Sequence, residues 1–175
     1  SFLFNFFRAM TAPRETGGFL YMLIHQTTDE SDEIHHNCGI GGIFCNDGEL
    51  TELNLPGLMA LILSTLQHRG QEGAGMYLVN TKKTFLTKSA GIAKTIFTEK
   101  VIKEMQTIRP HIAIGQDRYS TSGEMDAWQP FVHEEIGLVH NGNLTNAMSL
   151  LKKLPIDLQK QAVSDSWIAH RMILE

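Results

Sequence analysis

Apolar and polar residues follow two rhythms along this chain. Residues 38–45 read Cys-Gly-Ile-Gly-Gly-Ile-Phe-Cys, with no charge until Asp47. A short uncharged run that stops at Asn46-Asp47-Gly48 predicts a buried strand ending in a turn. Leu55-Pro56 opens a helix, since proline is tolerated in a first turn. Leu58, Leu61, Ile62, Thr65 and Leu66 then recur at helical spacing as far as Gln67-His68. Residues 69–75 form a glycine-rich loop. Residues 76–80 and 84–88 predict a hairpin around Thr81-Lys82-Lys83. Thr98 caps a helix to about Ile108, with Val101, Ile102, Met105 and Ile108 on one face. Residues 111–115 are a short strand running into a polar loop at 116–123. Residues 136–139 are another strand, ending at His140-Asn141-Gly142-Asn143. Residues 144–154 predict a helix broken at Pro155, and residues 158–175 one or two helices interrupted at Ser164-Asp165-Ser166. Strands and helices are mixed and most connections are short, which favours an α+β architecture with antiparallel sheets.

The first 37 residues read differently. Residues 1–10 are aromatic-rich, residues 19–24 suit a short strand, and residues 27–37 carry Asp29, Glu30, Asp32 and Glu33 without a glycine. The composition breaks at the Asn37-Cys38 bond. The expected division is a leader or propeptide at 1–37 and a domain at 38–175, with the working protein starting at Cys38. His35 and His36 are adjacent on an extended segment and face opposite ways, so they are read as solvated and no metal site is expected.

Charge and cysteine content narrow the function. The chain has 175 residues, 42% of them hydrophobic, and a net charge of −4. That length supports one sizeable core, and the charge offers no footprint for nucleic acid or an anionic membrane. The apolar runs near Phe2 and Phe19 are too short to span a bilayer. Cys38 and Cys45 lie seven positions apart, roughly 20 Å on a strand, too far to bridge. Two unpaired thiols suggest a reducing, cytoplasmic compartment. The glycine-rich loop contains G-x-x-G without a following Lys-Ser/Thr, so it is not a P-loop.

Three polar clusters follow apolar strands: around Arg118, around Asn141, and Cys38 itself. Singly, each has an ordinary structural explanation: packing for a small cysteine, a hairpin turn for Asn-Gly, a solvated loop for Arg-Tyr-Ser-Thr-Ser, a helix cap for Ser-Asp-Ser. In order, however, CGIGGIF at 38–44, LQHRGQEGAG at 66–75, RYSTSG at 118–123, QPFV at 129–132, HNGNLTNA at 140–147 and SDS at 164–166 resemble the glutaminase domain of class II glutamine amidotransferases, which are N-terminal-nucleophile hydrolases. The QHRGQE form resembles the amidophosphoribosyltransferase branch; the aminosugar synthases would show tyrosine at Gln71.

The resemblance implies a four-layer αββα sandwich of antiparallel sheets, truncated at the C-terminus. It implies that Cys38 is nucleophile and, through its own α-amino group, base. An amine titrating near ~8 is partly neutral at pH 7, but it must be free, so cleavage before Cys38 is required. Asn141 and Gly142 match the oxyanion hole. Arg118 matches the grip on the substrate's α-carboxylate, Thr121 adds a hydroxyl, and Asp165 pairs with the α-ammonium. Arg69 and Gly70 line the site. Cys45 has no catalytic match and is read as packing; His68 is not needed as a base. Glutamine is the implied substrate, with no cofactor in this segment. A phosphoribosyl pyrophosphate-binding domain, magnesium, and in some members an iron–sulfur cluster belong to a region beyond Glu175, and the full-length form is expected to be a homo-oligomer.

Two departures stand out. The family's Gly-His-x-Arg is Gly115-Gln116-Asp117-Arg118, which sets a carboxylate beside Arg118. On a strand Asp117 would face away; on a loop it would compete with substrate. The family's Ser-Asp-Ser-Glu ends in Trp167, which cannot complete a capping box, so a looser helix start at Asp165 is expected. Two readings follow: glutamine hydrolysis feeding phosphoribosylamine synthesis from phosphoribosyl pyrophosphate, the first step of purine synthesis, or an inactive glutaminase-like fragment or regulatory binding module.

Overall fold

A computed structural model describes residues 20–25, 38–45, 53–119, 128–134 and 136–174. The readings at 1–10 and 27–37, the 46–48 turn, His35 and His36, and Thr121 lie outside the described residues. Strands β1 (Leu20–His25), β2 (Gly39–Cys45), β3 (Gly73–Val79), β4 (Thr84–Ala90) and β5 (Ile112–Arg118) form one sheet in the order β1-β2-β5-β3-β4. Every pairing in it is antiparallel. The strand anticipated at 19–24 is β1, paired with β2 from Leu20↔Cys45 to His25↔Ile40.

Helix α1 (Leu55–Leu66) has Pro56 in its first turn, and Asn54 caps it by accepting the Gly57 N–H at 3.0 Å. Leu55, Met59, Ile62, Leu63 and Leu66 are buried. They meet Ile43, Cys45, Ala74, Met76, Leu78 and Ala113 in one core cluster. Glycine makes this seat possible. A Cβ at Gly39 would lie 2.7 Å from Leu66 Cβ, one at Gly41 2.8 Å from Ile62 Cγ2, and one at Gly115 2.9 Å from Leu63 Cδ1. The glycines of the Cys38 strand therefore let a helix approach the sheet. Helices α2 (Ala93–Ile96) and α3 (Glu99–Gln106) extend the same cluster through Ala93 and Met105. Thr98 caps α3, accepting the Val101 N–H at 3.4 Å.

On the other face, β6 (Phe131–His133) and β7 (Ile136–Leu138) form a small antiparallel pair. A Cβ at Gly137 would lie 2.6 Å from Tyr77 Cδ1 and 3.2 Å from Ile114 Cδ1, so this pair rests on β3 and β5. Helices α4 (Ala147–Leu151), α5 (Ile156–Gln159) and α6 (Asp165–Leu174) follow. Phe131, Leu154, Trp167 and Ile168 make a second core cluster, and His170 Nε2 lies 3.1 Å from the Ile136 carbonyl. The architecture is α+β with antiparallel sheets.

Three local expectations need correction. Gly73, Ala74 and Gly75 open β3 rather than closing a loop. Strand β5 runs to Arg118 instead of loosening at Gln116. The helix expected at 144–154 is α4 alone, preceded by Asn146 in a non-helical conformation. Neither α2 nor β6 was anticipated.

Candidate functional site

Strand alternation decides which residues share a surface. On β5, Ala113, Gly115 and Asp117 face α1, and Ile114, Gln116 and Arg118 face the other way. On β2, Gly39 and Gly41 face α1, so continuing the alternation turns Cys38 to the Arg118 side. The β2–β5 register, carried one step past Gly39↔Asp117, sets Cys38 across from Arg118. Arg118 also pairs with Gly73 on its other flank.

Cys38 is half-buried at the head of β2. Its Sγ lies 3.6 Å from the Tyr119 carbonyl, and its own carbonyl accepts the Asn141 Nδ2 amide at 2.6 Å. Asn141 and Gly142 belong to the loop after β7. Leu144 N–H in that loop donates to Asp165 Oδ2 at 2.8 Å, and Ser166 N–H donates to Asp165 Oδ1 at 2.7 Å. His140 Nδ1 and Ser166 Oγ are 2.9 Å apart. Cys38, the 140–144 loop and the first turn of α6 are thus one bonded assembly.

Gly70 packs against the end of β5. A Cβ there would lie 2.6 Å from the Asp117 carbonyl carbon and 2.7 Å from that of Arg118, so only glycine fits. The Glu72 N–H donates to the Arg118 carbonyl at 3.1 Å, and the Arg69 N–H to Leu66 at 2.8 Å. Gln67 holds this turn, donating through Nε2 to the Gly70 carbonyl and accepting the Ala93 N–H at 2.5 Å. His68 is exposed and its Nδ1 sits 3.0 Å from the Thr65 carbonyl.

Asp117 takes the strand alternative and points away from Arg118. It is fully buried, and neither carboxylate oxygen has a hydrogen-bond partner among the described residues. Burial without a partner pushes its pKa up to about 8. Cys45 lies in the core, where burial raises its thiol pKa. At α6 the looser start does not materialise. Ser164 Oγ accepts the Trp167 N–H at 3.1 Å, while the Trp167 side chain is buried, with the Arg171 guanidinium 5.2 Å from its ring centre.

The motif reading passed over Gln116, Gln129, His140 and Ser166 as contributors. Gln116 stood out only as a departure from histidine, and Gln129 only as the start of QPFV. A depression of about 410 Å³ lined by His133, Glu134, Leu158, Gln161, Arg171 and Leu174 includes none of the expected site residues. Among the described residues no three His, Cys, Asp or Glu side chains gather as a metal site. No described helix is long and apolar enough to cross a membrane.

No family model matches the chain. Curated relatives do. It is 37% identical to the amidophosphoribosyltransferase of Rattus norvegicus over 134 residues, covering 71% of this chain and 26% of the relative. It is 38% identical to that of Homo sapiens over 130 residues, covering 69% and 25%. Among solved structures it resembles the glutamine phosphoribosylpyrophosphate amidotransferase from B. subtilis, complexed with ADP and GMP, at a TM-score of 0.55, with 30% identity over 69% of this chain and 27% of that one. It also resembles the allosteric regulatory enzyme of purine biosynthesis at a TM-score of 0.57, with 28% identity over 78% of this chain and 29% of that one. With the ordered motifs, these likenesses are consistent with a glutaminase domain of the N-terminal-nucleophile type. The proteins the chain is similar to are amidophosphoribosyltransferases, and the likeness falls on one part of them. The chain spans about a quarter of the length of the curated relatives it matches.

Proposed function

We propose that residues 38–175 are the glutamine-hydrolysing part of an amidophosphoribosyltransferase, with the layers of a four-layer αββα N-terminal-nucleophile sandwich. The observation that carries this reading is the 2.6 Å contact between Asn141 Nδ2 and the Cys38 carbonyl, across from Arg118 on the neighbouring strand. It joins the proposed nucleophile to the proposed oxyanion donor although 103 residues separate them.

Cleavage of the Asn37-Cys38 bond frees the Cys38 α-amino group. That amine accepts the thiol proton as Sγ attacks the carboxamide carbon of glutamine. Charge develops on the carboxamide oxygen, where the Asn141 amide and the Gly142 N–H donate hydrogen bonds; such a donor contributes about 3 kcal/mol. The α-ammonium returns its proton to the leaving nitrogen, ammonia departs, and a thioester remains. Water then adds with the amine again as base, releasing glutamate and the thiol. Arg118 binds the α-carboxylate through its fork, helped by the Thr121 hydroxyl, and Asp165 receives the α-ammonium. Its two oxygens each accept one backbone N–H and keep lone pairs for that contact. Arg69 and Gly70 wall the site beside Arg118.

The released ammonia serves phosphoribosylamine formation from phosphoribosyl pyrophosphate, the first step of purine synthesis, in a cytoplasmic homo-oligomer. The acceptor site and its magnesium belong to a phosphoribosyltransferase domain beyond residue 175. The cysteines here do not fit an iron–sulfur cluster, since Cys45 is buried in the core at the far end of β2 from Cys38.

The test is intact mass followed by a glutamine-analogue electrophile. A protein that begins at Cys38 and carries one adduct on that residue supports the hydrolase. An uncleaved leader and no adduct supports the inert module instead.

A further inference from the structure

Gln116 and Gln129 have no part in the reaction above, yet both are buried, at 2% and 4% exposure. They come from different elements, Gln116 from the site face of β5 and Gln129 from the segment before β6. They converge on one residue. Gln129 Oε1 accepts the His140 N–H at 2.5 Å, and Gln129 Nε2 donates to the His140 carbonyl at 3.2 Å. Gln116 Nε2 donates to that same carbonyl at 3.0 Å. Strand β7 has ended at Leu138, so His140 has no ladder partner among the described residues. The two carboxamides supply what a neighbouring strand would, and a carboxamide is suited to this because it both donates and accepts.

The clamp is itself anchored. Gly75 leaves no room for a Cβ against the Gln129 carbonyl. Lys88 Nζ donates to the Trp128 carbonyl at 2.8 Å and the Pro130 carbonyl at 3.3 Å. The residue so held immediately precedes Asn141 and Gly142. We propose that Gln129, assisted by Gln116, is a positioning residue that fixes the His140 backbone and thereby aims the two oxyanion donors. Resting on the hydrolase reading, this assignment adds that the precision of the site is set from the sheet and not from the loop. Catalytic donors must be held to about 0.5 Å, and a small misplacement costs up to ~100-fold in rate.

The test uses the full-length protein, processed at Cys38. Gln129→Met keeps the volume and loses both hydrogen-bonding functions. Gln129→Glu keeps the acceptor and regains a donor only when protonated. Donors used in the transition state act on kcat. Gln129→Met should therefore lower kcat about 10- to 100-fold with the glutamine KM within about threefold. The kcat of Gln129→Glu relative to wild type should rise as the pH falls. Values of kcat within about twofold of wild type, or a defect confined to KM, would overturn the assignment. Amide hydrogen exchange in the segment 139–143 gives a second readout that needs no turnover; Gln129→Met should speed it at least ~10-fold. Unchanged exchange refutes the clamp, whereas a wild type without glutamine turnover but with faster exchange in the variant refutes only the hydrolase reading. Should Gln129→Met not fold, Gln129→Glu carries both measurements.

Discussion

At the residue scale, burial sets the behaviour of two thiols and one carboxyl. Cys38 is half-buried and Cys45 is enclosed with its pKa raised. A thiol electrophile should modify Cys38 in the native protein and reach Cys45 only on denaturation. Equal rates at both would contradict the packing of β2. Within the proposed chemistry, Cys38→Ser should abolish glutamine hydrolysis and leave the unfolding midpoint close to wild type; retained turnover would reject a sulfur nucleophile. Asp117 gives a pH signature. Its pKa rises from 3.8 in the unfolded chain to about 8 in the fold, so between these values the folded state holds the extra proton. Stability is then highest on the acid side and declines as pH climbs from about 4 to about 8, by something on the order of 4 kcal/mol at pH 7. Asp117→Asn should remove that slope and raise stability at pH 8 by about 1–3 kcal/mol, the unpartnered amide keeping part of the desolvation cost. Denaturant titrations at pH 5 and pH 8 decide it, and a wild type equally stable at both would show that Asp117 is solvated or paired.

At the element scale, α1 and α6 carry the site on their ends. Gly41→Val would drive a branched side chain into Ile62, whose Cγ2 is 2.8 Å from the first added carbon. A loss of about 1–3 kcal/mol is expected by chemical denaturation, and a neutral substitution would mean that α1 is not seated on β2. Ser164→Ala removes the cap on α6 and should cost about 1 kcal/mol; through Asp165 it should also raise the glutamine KM. The same elements show what periodicity can and cannot reveal. Helices α1 and α3 were legible because their apolar residues recur at helical spacing and Pro56 and Thr98 mark their starts. Strand β5 was read short because Gln116 and Asp117 look like surface residues, whereas both are buried. Gly73 and Gly75 resemble a loop until their partners are known: a Cβ at Gly73 would lie 2.9 Å from the Trp128 indole nitrogen, and Gly75 lies under Gln129. The expected site residues Cys38, Arg118, Asn141 and Asp165 were found through ordered motifs, which need no geometry. The glutamine clamp was invisible because it depends on where β5, the 128–130 segment and His140 meet in space.

At the scale of the whole molecule, the order β1-β2-β5-β3-β4 leaves β2 with β1 as its outer neighbour. Strand β2 has no charge and no proline, which makes its edge sticky if bared. The proposed processing at the Asn37-Cys38 bond cuts the chain between these two strands. It leaves the ladder from Leu20↔Cys45 to His25↔Ile40 intact, because the scissile bond lies beyond its Ile40 end. Cleavage should therefore free the Cys38 amine without releasing the leader. Native size exclusion of the processed protein should recover the leader peptide with the domain, and denaturing mass spectrometry should then resolve the two. A chain carrying an added protease site at 28–36 allows the same measurement when processing is not spontaneous. A leader that separates on the native column, with the domain remaining soluble, would mean that β2 tolerates an open edge or takes another strand in its place.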